Sequence, residues 1–213
     1  DSITAKALTV SGITALNKGY DGNATATLNT SLINYGGLVS GDNLTGSYSG
    51  VFDNANVATG KTVTITSVYG GGDLNNYTIT DQASTTADIT KRVLVLSTFS
   101  ASDKIYDGNN TATTSSSISG YVGSETINHS LTATFDNKNV GSSKAVTVNS
   151  ITLTDGTNGG LATNYSLSTG QTTTANITPK TLTASASSSN KAYDGTTTAV
   201  SYTHLTLPTM ELV

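Results

Sequence analysis

Lys18-Gly19-Tyr20-Asp21-Gly22-Asn23 is written twice more along the chain, as Lys104-Ile105-Tyr106-Asp107-Gly108-Asn109 and as Lys191-Ala192-Tyr193-Asp194-Gly195-Thr196. The three tyrosines stand 86 and 87 residues apart (106 − 20 and 193 − 106). Self-similarity at a fixed period takes precedence over local signals, because one structural unit is then being built more than once. Other landmarks keep the same order. Phe52-Asp53-Asn54 with Asn56-Val57 returns as Phe135-Asp136-Asn137 with Asn139-Val140, and Lys61-Thr62-Val63-Thr64-Ile65 as Lys144-Ala145-Val146-Thr147-Val148. Asn76-Tyr77 returns as Asn164-Tyr165, and Thr86-Ala87-Asp88-Ile89-Thr90 as Thr174-Ala175-Asn176-Ile177-Thr178.

The seams between units read Ile89-Thr90-Lys91-Arg92-Val93 and Ile177-Thr178-Pro179-Lys180-Thr181, and the chain opens inside such a seam at Ser2-Ile3-Thr4-Ala5-Lys6. The expected division is therefore the end of a preceding repeat at 1–4, complete repeats at 5–91 and 92–179, and the start of a third at 180–200. The chain is read as a piece of a longer array. Residues 201–213 depart from the pattern, bringing the only Met, Met210, with His204 and Glu211, and are read as an extraneous tail.

Composition fixes the structural class. The 213 residues hold 41 Thr, 27 Ser and 19 Asn, with one Arg, two Glu and no Trp, and only 11% are charged against the roughly 25% of ordinary domains. Thr suits a half-exposed pleated surface, whereas the residues that fill exposed helix faces are scarce. Alternating stretches run Ala7 to Ile13, Ala24 to Leu28, Gly46 to Phe52, Thr62 to Val68, Tyr77 to Thr80 and Thr85 to Ile89, separated by Gly, Asn and Asp. The expected fold is all-β, with tandem immunoglobulin-like sandwiches of about 87 residues. A β-grasp-like repeat carrying a short helix is the alternative. Two-residue seams imply domains strung closely one after another.

The Lys-x-Tyr-Asp-Gly signature, the Phe-Asp-Asn-x-Asn-Val segment, the Asn-Tyr pair and the Ile-Thr-Pro-Lys seam together resemble the YDG-type repeats of large bacterial surface proteins. Those include filamentous-haemagglutinin-like adhesins. The resemblance spans residues 3 to about 199. It implies tandem β-domains in an extracellular, cell-surface stalk or adhesin, and it brings no catalytic residue and no ligand. Lys91 and Ala5 stand where Pro179 does, so those seams are expected to be freer.

The signature residues read first as architecture. Asp21-Gly22, Asp107-Gly108 and Asp194-Gly195 are turn dipeptides, beside which Tyr20, Tyr106 and Tyr193 are expected to lay a ring on the sheet and send the hydroxyl to backbone. Phe52 and Phe135 are expected to be buried, with Asp53-Asn54 and Asp136-Asn137 forming Asx turns. A weaker candidate is calcium bridging of the seams by Asp88, Asp103 or Asp136, since such sites need several converging oxygens and the spacing matches no ligand loop. No other cofactor is expected. Alternating Thr suggests an ice-binding array, but the 86–87-residue period is too long for one flat regular face.

A net charge of −4 with ten scattered cations leaves no basic patch for nucleic acid or an anionic membrane. No apolar run approaches the ~18 residues of a membrane span. Cysteine is absent, which removes disulfides and thiolate sites. Catalysis would have to use His129, which recurs in no other unit, and Gly70-Gly71-Gly72 lacks the Lys-Ser/Thr of a phosphate loop. The expected function is a non-enzymatic spacer whose partners are the neighbouring repeats, carrying a distal adhesive tip. The competing readings are repeats that themselves hold glycan or host protein through the loops near Tyr20, Tyr106 and Tyr193, and accessory domains of a secreted polysaccharide-active enzyme.

Overall fold

A computed structural model describes residues 2–188, 190–198 and 201–205. The first repeat runs β1 (Lys6–Ser11), β2 (Thr14–Ala15), β3 (Lys18–Gly19), β4 (Thr25–Ala26), β5 (Leu28–Asn29), β6 (Asn34–Gly36), β7 (Thr45–Phe52), β8 (Ala58–Gly70), β9 (Tyr77–Thr80) and β10 (Ser84–Thr90). The second runs β11 (Arg92–Val93), β12 (Val95–Ala101), β13 (Lys104–Ile105), β14 (Thr114–Ser119), β15 (Ile127–Phe135), β16 (Gly141–Asp155), β17 (Tyr165–Ser166) and β18 (Thr172–Thr178). The protein is all-β, as expected. Helical structure among the described residues is confined to the 3-10 turns Leu74–Asn76 and Ala162–Asn164, so the helix of a β-grasp repeat is not formed.

Alternation explains which strands form. In β8, Val63 and Ile65 point inward at 0% and 7% exposure while Thr62, Thr64 and Thr66 face water. Leu8 and Val10 do the same in β1. The stretch Ala24 to Leu28 divides into β4 and β5, and β6 arises where no apolar alternation announced it.

Repeat 1 holds a three-stranded sheet ordered β6-β1-β9 and a five-stranded sheet ordered β3-β10-β8-β7-β4. Leu8, Val10 and Tyr77 of the first pack with Ile65 of the second to make one core. Two pairings are parallel: β1 with β9, Lys6 opposite Tyr77, and β3 with β10, Lys18 opposite Ile89. A bulge between Ala87 and Ile89 lifts Asp88 out of the ladder, and its Oδ1 accepts the Gly60 N–H at 2.7 Å. Repeat 2 repeats the parallel pairings as β11 with β17 and β13 with β18.

The compact units do not follow the sequence repeats. One unit takes in the chain up to Phe99 with Ser115–Thr132 and Val148–Gln171; the other takes in Ser100–Thr114, Ala133–Thr147 and the chain from Thr172 on. Within the first unit, Tyr20, Ala26, Phe52, Val63, Ala87 and Ile89 of repeat 1 share a core with Leu94, Ile118, Ile127 and Tyr165 of repeat 2. The seam at Lys91 is therefore packed: Leu94 is 2% exposed, its N–H donates to Ser166 O at 2.7 Å, and Arg92 Nε donates to Gly120 O at 2.6 Å. The freedom expected of a non-proline seam does not reckon with this core. In the second unit, Phe135, Val146, Ala175 and Ile177 are buried at 5% exposure or less. There β19 (Ala184–Ser188) pairs antiparallel with β20 (Ser201–Leu205), so the first five residues assigned to an extraneous tail form a strand. The rest of that tail, 206–213, lies outside the described residues.

Candidate functional site at the repeat seam

The first two Tyr-Asp-Gly loops each hang from the short parallel pairing that ends a sheet. The Tyr20 N–H donates to Thr90 O at 2.9 Å, and the Tyr106 N–H donates to Thr178 O at the same distance. A lysine then organises the turn from its centre. Lys18 Nζ lies 2.7 Å from Asp21 Oδ1 and donates to Asn23 Oδ1, Asn23 O and Thr25 O at 3.0–3.2 Å. Lys104 does the same with Asp107, Asn109 and Thr111. Asp21 Oδ1 also accepts the Asn23 N–H, the Asx turn that Asp-Gly-Asn favours. Partial burial works against ionisation of Asp21, but the lysine ammonium and the Asn23 donors outweigh it and hold the carboxyl below its usual value. In the third loop Lys191 reaches Asp194 at 2.9 Å, and the ring of Tyr193 is 97% exposed.

The Phe-Asp-Asn segments are built alike. Phe52 and Phe135 are 2% and 1% exposed. Asp53 pairs with Lys61 at 2.6 Å and Asp136 with Lys144 at 2.7 Å, while Asn54 and Asn137 accept the N–H groups of Asn56 and Asn139 in Asx turns. The aspartates that were candidates for calcium have other partners. Asp88 holds the bulge, Asp103 accepts the Asn176 N–H at 2.6 Å, and Asp136 is on its lysine. Among the described residues no group of three or more His, Asp or Glu could hold a metal ion.

The Tyr20 hydroxyl does not go to backbone. Tyr20 is 5% exposed and its hydroxyl donates to Glu125 Oε1 at 2.7 Å, 105 residues away in repeat 2. The other oxygen of the same carboxylate accepts from Tyr165 at 2.7 Å, and the Tyr165 hydroxyl accepts the Val122 N–H at 3.0 Å. The two rings meet edge to face with centroids 5.4 Å apart, an arrangement worth about 1 kcal/mol beyond its buried area. Burial, reinforced by the hydrogen bond to Glu125 and its charge, pushes the Tyr20 phenol up to about 12.

Beside this carboxylate bridge lies a carboxamide one. Asn164 is fully buried; its Oδ1 accepts the Val57 N–H at 2.9 Å and its Nδ2 donates to Asn56 Oδ1 at 3.0 Å. A buried amide satisfied on both sides is rigid and costly to misplace. Gly22 completes the fit. At φ +80° it occupies the left-handed region, and a Cβ there would stand 2.8 Å from Val122 Cγ1, so the glycine serves the turn and the close approach at once.

Glu125 and Asn164 carry this seam, and reading of the sequence singled out neither as a site residue. The signal was present. Asp42 and Glu125 each lie ten residues before the landmark phenylalanine (52 − 42 and 135 − 125), the one acidic position shared by those segments before Phe-Asp-Asn. His129, the only histidine within a complete repeat, has its Nε2 2.8 Å from Ser116 Oγ, and among the described residues no carboxylate hydrogen-bonds its imidazole. A serine nucleophile's base is normally oriented by such a third group.

Comparison with known proteins finds the YDG domain twice, over residues 4–87 and 90–175. No curated protein and no solved structure matches the chain.

Proposed function

The chain belongs to the YDG domain family, two copies in tandem, and on that premise we propose that these repeats are structural spacers of a bacterial cell-surface or secreted adhesin, holding a distal binding tip away from the cell. What supports this reading is the use made of the signature tyrosine. Tyr20 is sequestered at 5% exposure and its hydroxyl is engaged by the next repeat. A ring meant for a soluble glycan or host protein would keep a face open. Tyr20 thus serves the joining of repeat 1 to repeat 2. In repeat arrays stability comes from such nearest-neighbour interfaces as much as from the single unit. On this reading the protein is extracellular and not an enzyme, and its principal partners are its own neighbouring repeats.

Two measurements test the proposal. Sequencing of the parent gene across both ends is expected to show further units at the same period, an export signal, and an anchor or adhesive tip. A parent gene with these units alone would remove the reason for a spacer. Screening the full chain against surface glycans and extracellular-matrix proteins is expected to find no saturable ligand. Saturable binding lost in Tyr106→Ala or Tyr193→Ala would replace the spacer by an adhesive module.

A further inference from the structure

The seam has two halves, and the chain displays each half a second time without its counterpart among the described residues. The receiving half, in repeat 2, is Val122, Glu125, Asn164 and Tyr165. Its equivalents in repeat 1 are Val39, Asp42, Asn76 and Tyr77, and the internal part of the clasp is already assembled there. The Tyr77 hydroxyl accepts the Val39 N–H at 3.0 Å and donates to Asp42 Oδ2 at 2.5 Å, as Tyr165 does with Val122 and Glu125. These four residues line a recess of about 260 Å³, reached also by Thr4. The residues that the seam covers are open here. Asn76 is exposed where Asn164 is fully buried, and Val39 is 45% exposed.

The inserting half, in repeat 1, is Tyr20, Gly22, Asn56 and Val57. Its equivalents in repeat 2 are Tyr106, Gly108, Asn139 and Val140. Gly108 keeps the left-handed φ of +86°, yet a Cβ on it would meet nothing within 4 Å. Val140 is 49% exposed, Asn139 is exposed and Tyr106 is half-buried.

We propose that the recess at Val39, Asp42, Asn76 and Tyr77 is a docking site for the Tyr-Asp-Gly face of a second copy of this chain, received as Glu125, Asn164 and Tyr165 receive the Tyr20 face. The Tyr106 hydroxyl of the incoming copy donates to the Asp42 oxygen that Tyr77 leaves free, and the Asn76 carboxamide bridges Asn139 and the Val140 N–H. Gly108 lets the turn settle against Val39. The contact joins unlike faces and is therefore heterologous: copies add head to tail, into a closed ring or an open chain. This association rests on the seam geometry and stands whether or not the array is a spacer.

Sedimentation equilibrium of the full chain, from micromolar to millimolar concentration, tests it. The expected result is reversible growth through dimers to longer species. Tyr106→Phe is expected to weaken association about tenfold, the effect of one hydrogen bond, and Asn76→Ala, which removes two, about a hundredfold. Asn76 is exposed and Tyr106→Phe removes only a hydroxyl, so both variants should keep the parent denaturation midpoint. A chain that stays monomeric throughout overturns the proposal. So does growth that neither substitution changes, which would place the contact on another surface.

Discussion

The loops around Tyr20 and Tyr106 share the same lysine-centred turn, the same Asx bond and the same parallel strand pairing, yet their tyrosines meet different surroundings. Tyr20 is sealed against Tyr165 and Glu125; Tyr106 keeps part of its ring in water. Tyr193, with a preformed Lys191–Asp194 pair, is almost fully exposed. The turn is thus a local product of Lys-x-Tyr-Asp-Gly, whereas burial of its tyrosine is decided by what stands across from it. One motif does two separable jobs: it closes a turn by itself, and it joins repeats only in company.

Removing the ring should separate those jobs most widely. Tyr20→Ala is expected to cost about 3 kcal/mol in urea unfolding, the range of buried aromatic truncations, and Tyr106→Ala well under half as much. Equal costs would mean that the seam core contributes nothing beyond the turn. Next comes the carboxylate. Glu125→Ala strands two phenol hydroxyls and is expected to cost about 2 kcal/mol, while Asp42→Ala strands one and costs about 1 kcal/mol. Then the glycines sharpen the contrast. Alanine at Gly22 or Gly108 pays the left-handed strain of about 1 kcal/mol, and only at Gly22 should the clash with Val122 add roughly as much again.

A further contrast is expected with pH. A phenol whose folded value lies near 12 against 10.0 contributes stability that is complete below pH 10 and is lost as pH rises toward 12. The Tyr20→Phe variant should therefore lose less of its denaturation midpoint across that window than the parent chain does. Parallel curves would show that the hydroxyl does not couple to folding.

Much of the fold was legible because threonine-rich strands with alternating aliphatic residues leave little choice of class. Phe52, Phe135 and the Asx turns fall where periodicity and turn chemistry place them. The parallel pairing of β3 with β10 was not legible, since period-2 patterning records which face is buried and says nothing of which strand lies alongside. Glu125 was hidden for a related reason. A single carboxylate in a polar loop reads as a solvated charge, and only the fold shows two tyrosines, 40 and 105 residues distant, converging on it. Lys61 is the opposite case: a landmark lysine is buried to 6% exposure because the aspartate that neutralises it belongs to the neighbouring landmark.

Because residues of the inserting and the receiving half of the seam are interleaved along the same repeat, an in-frame duplication of any one repeat carries both halves with it. Every new junction is then competent at birth, with no compensating mutation needed elsewhere. Gene recombination can lengthen or shorten such an array freely, and selection on copy number need not wait for selection on fit.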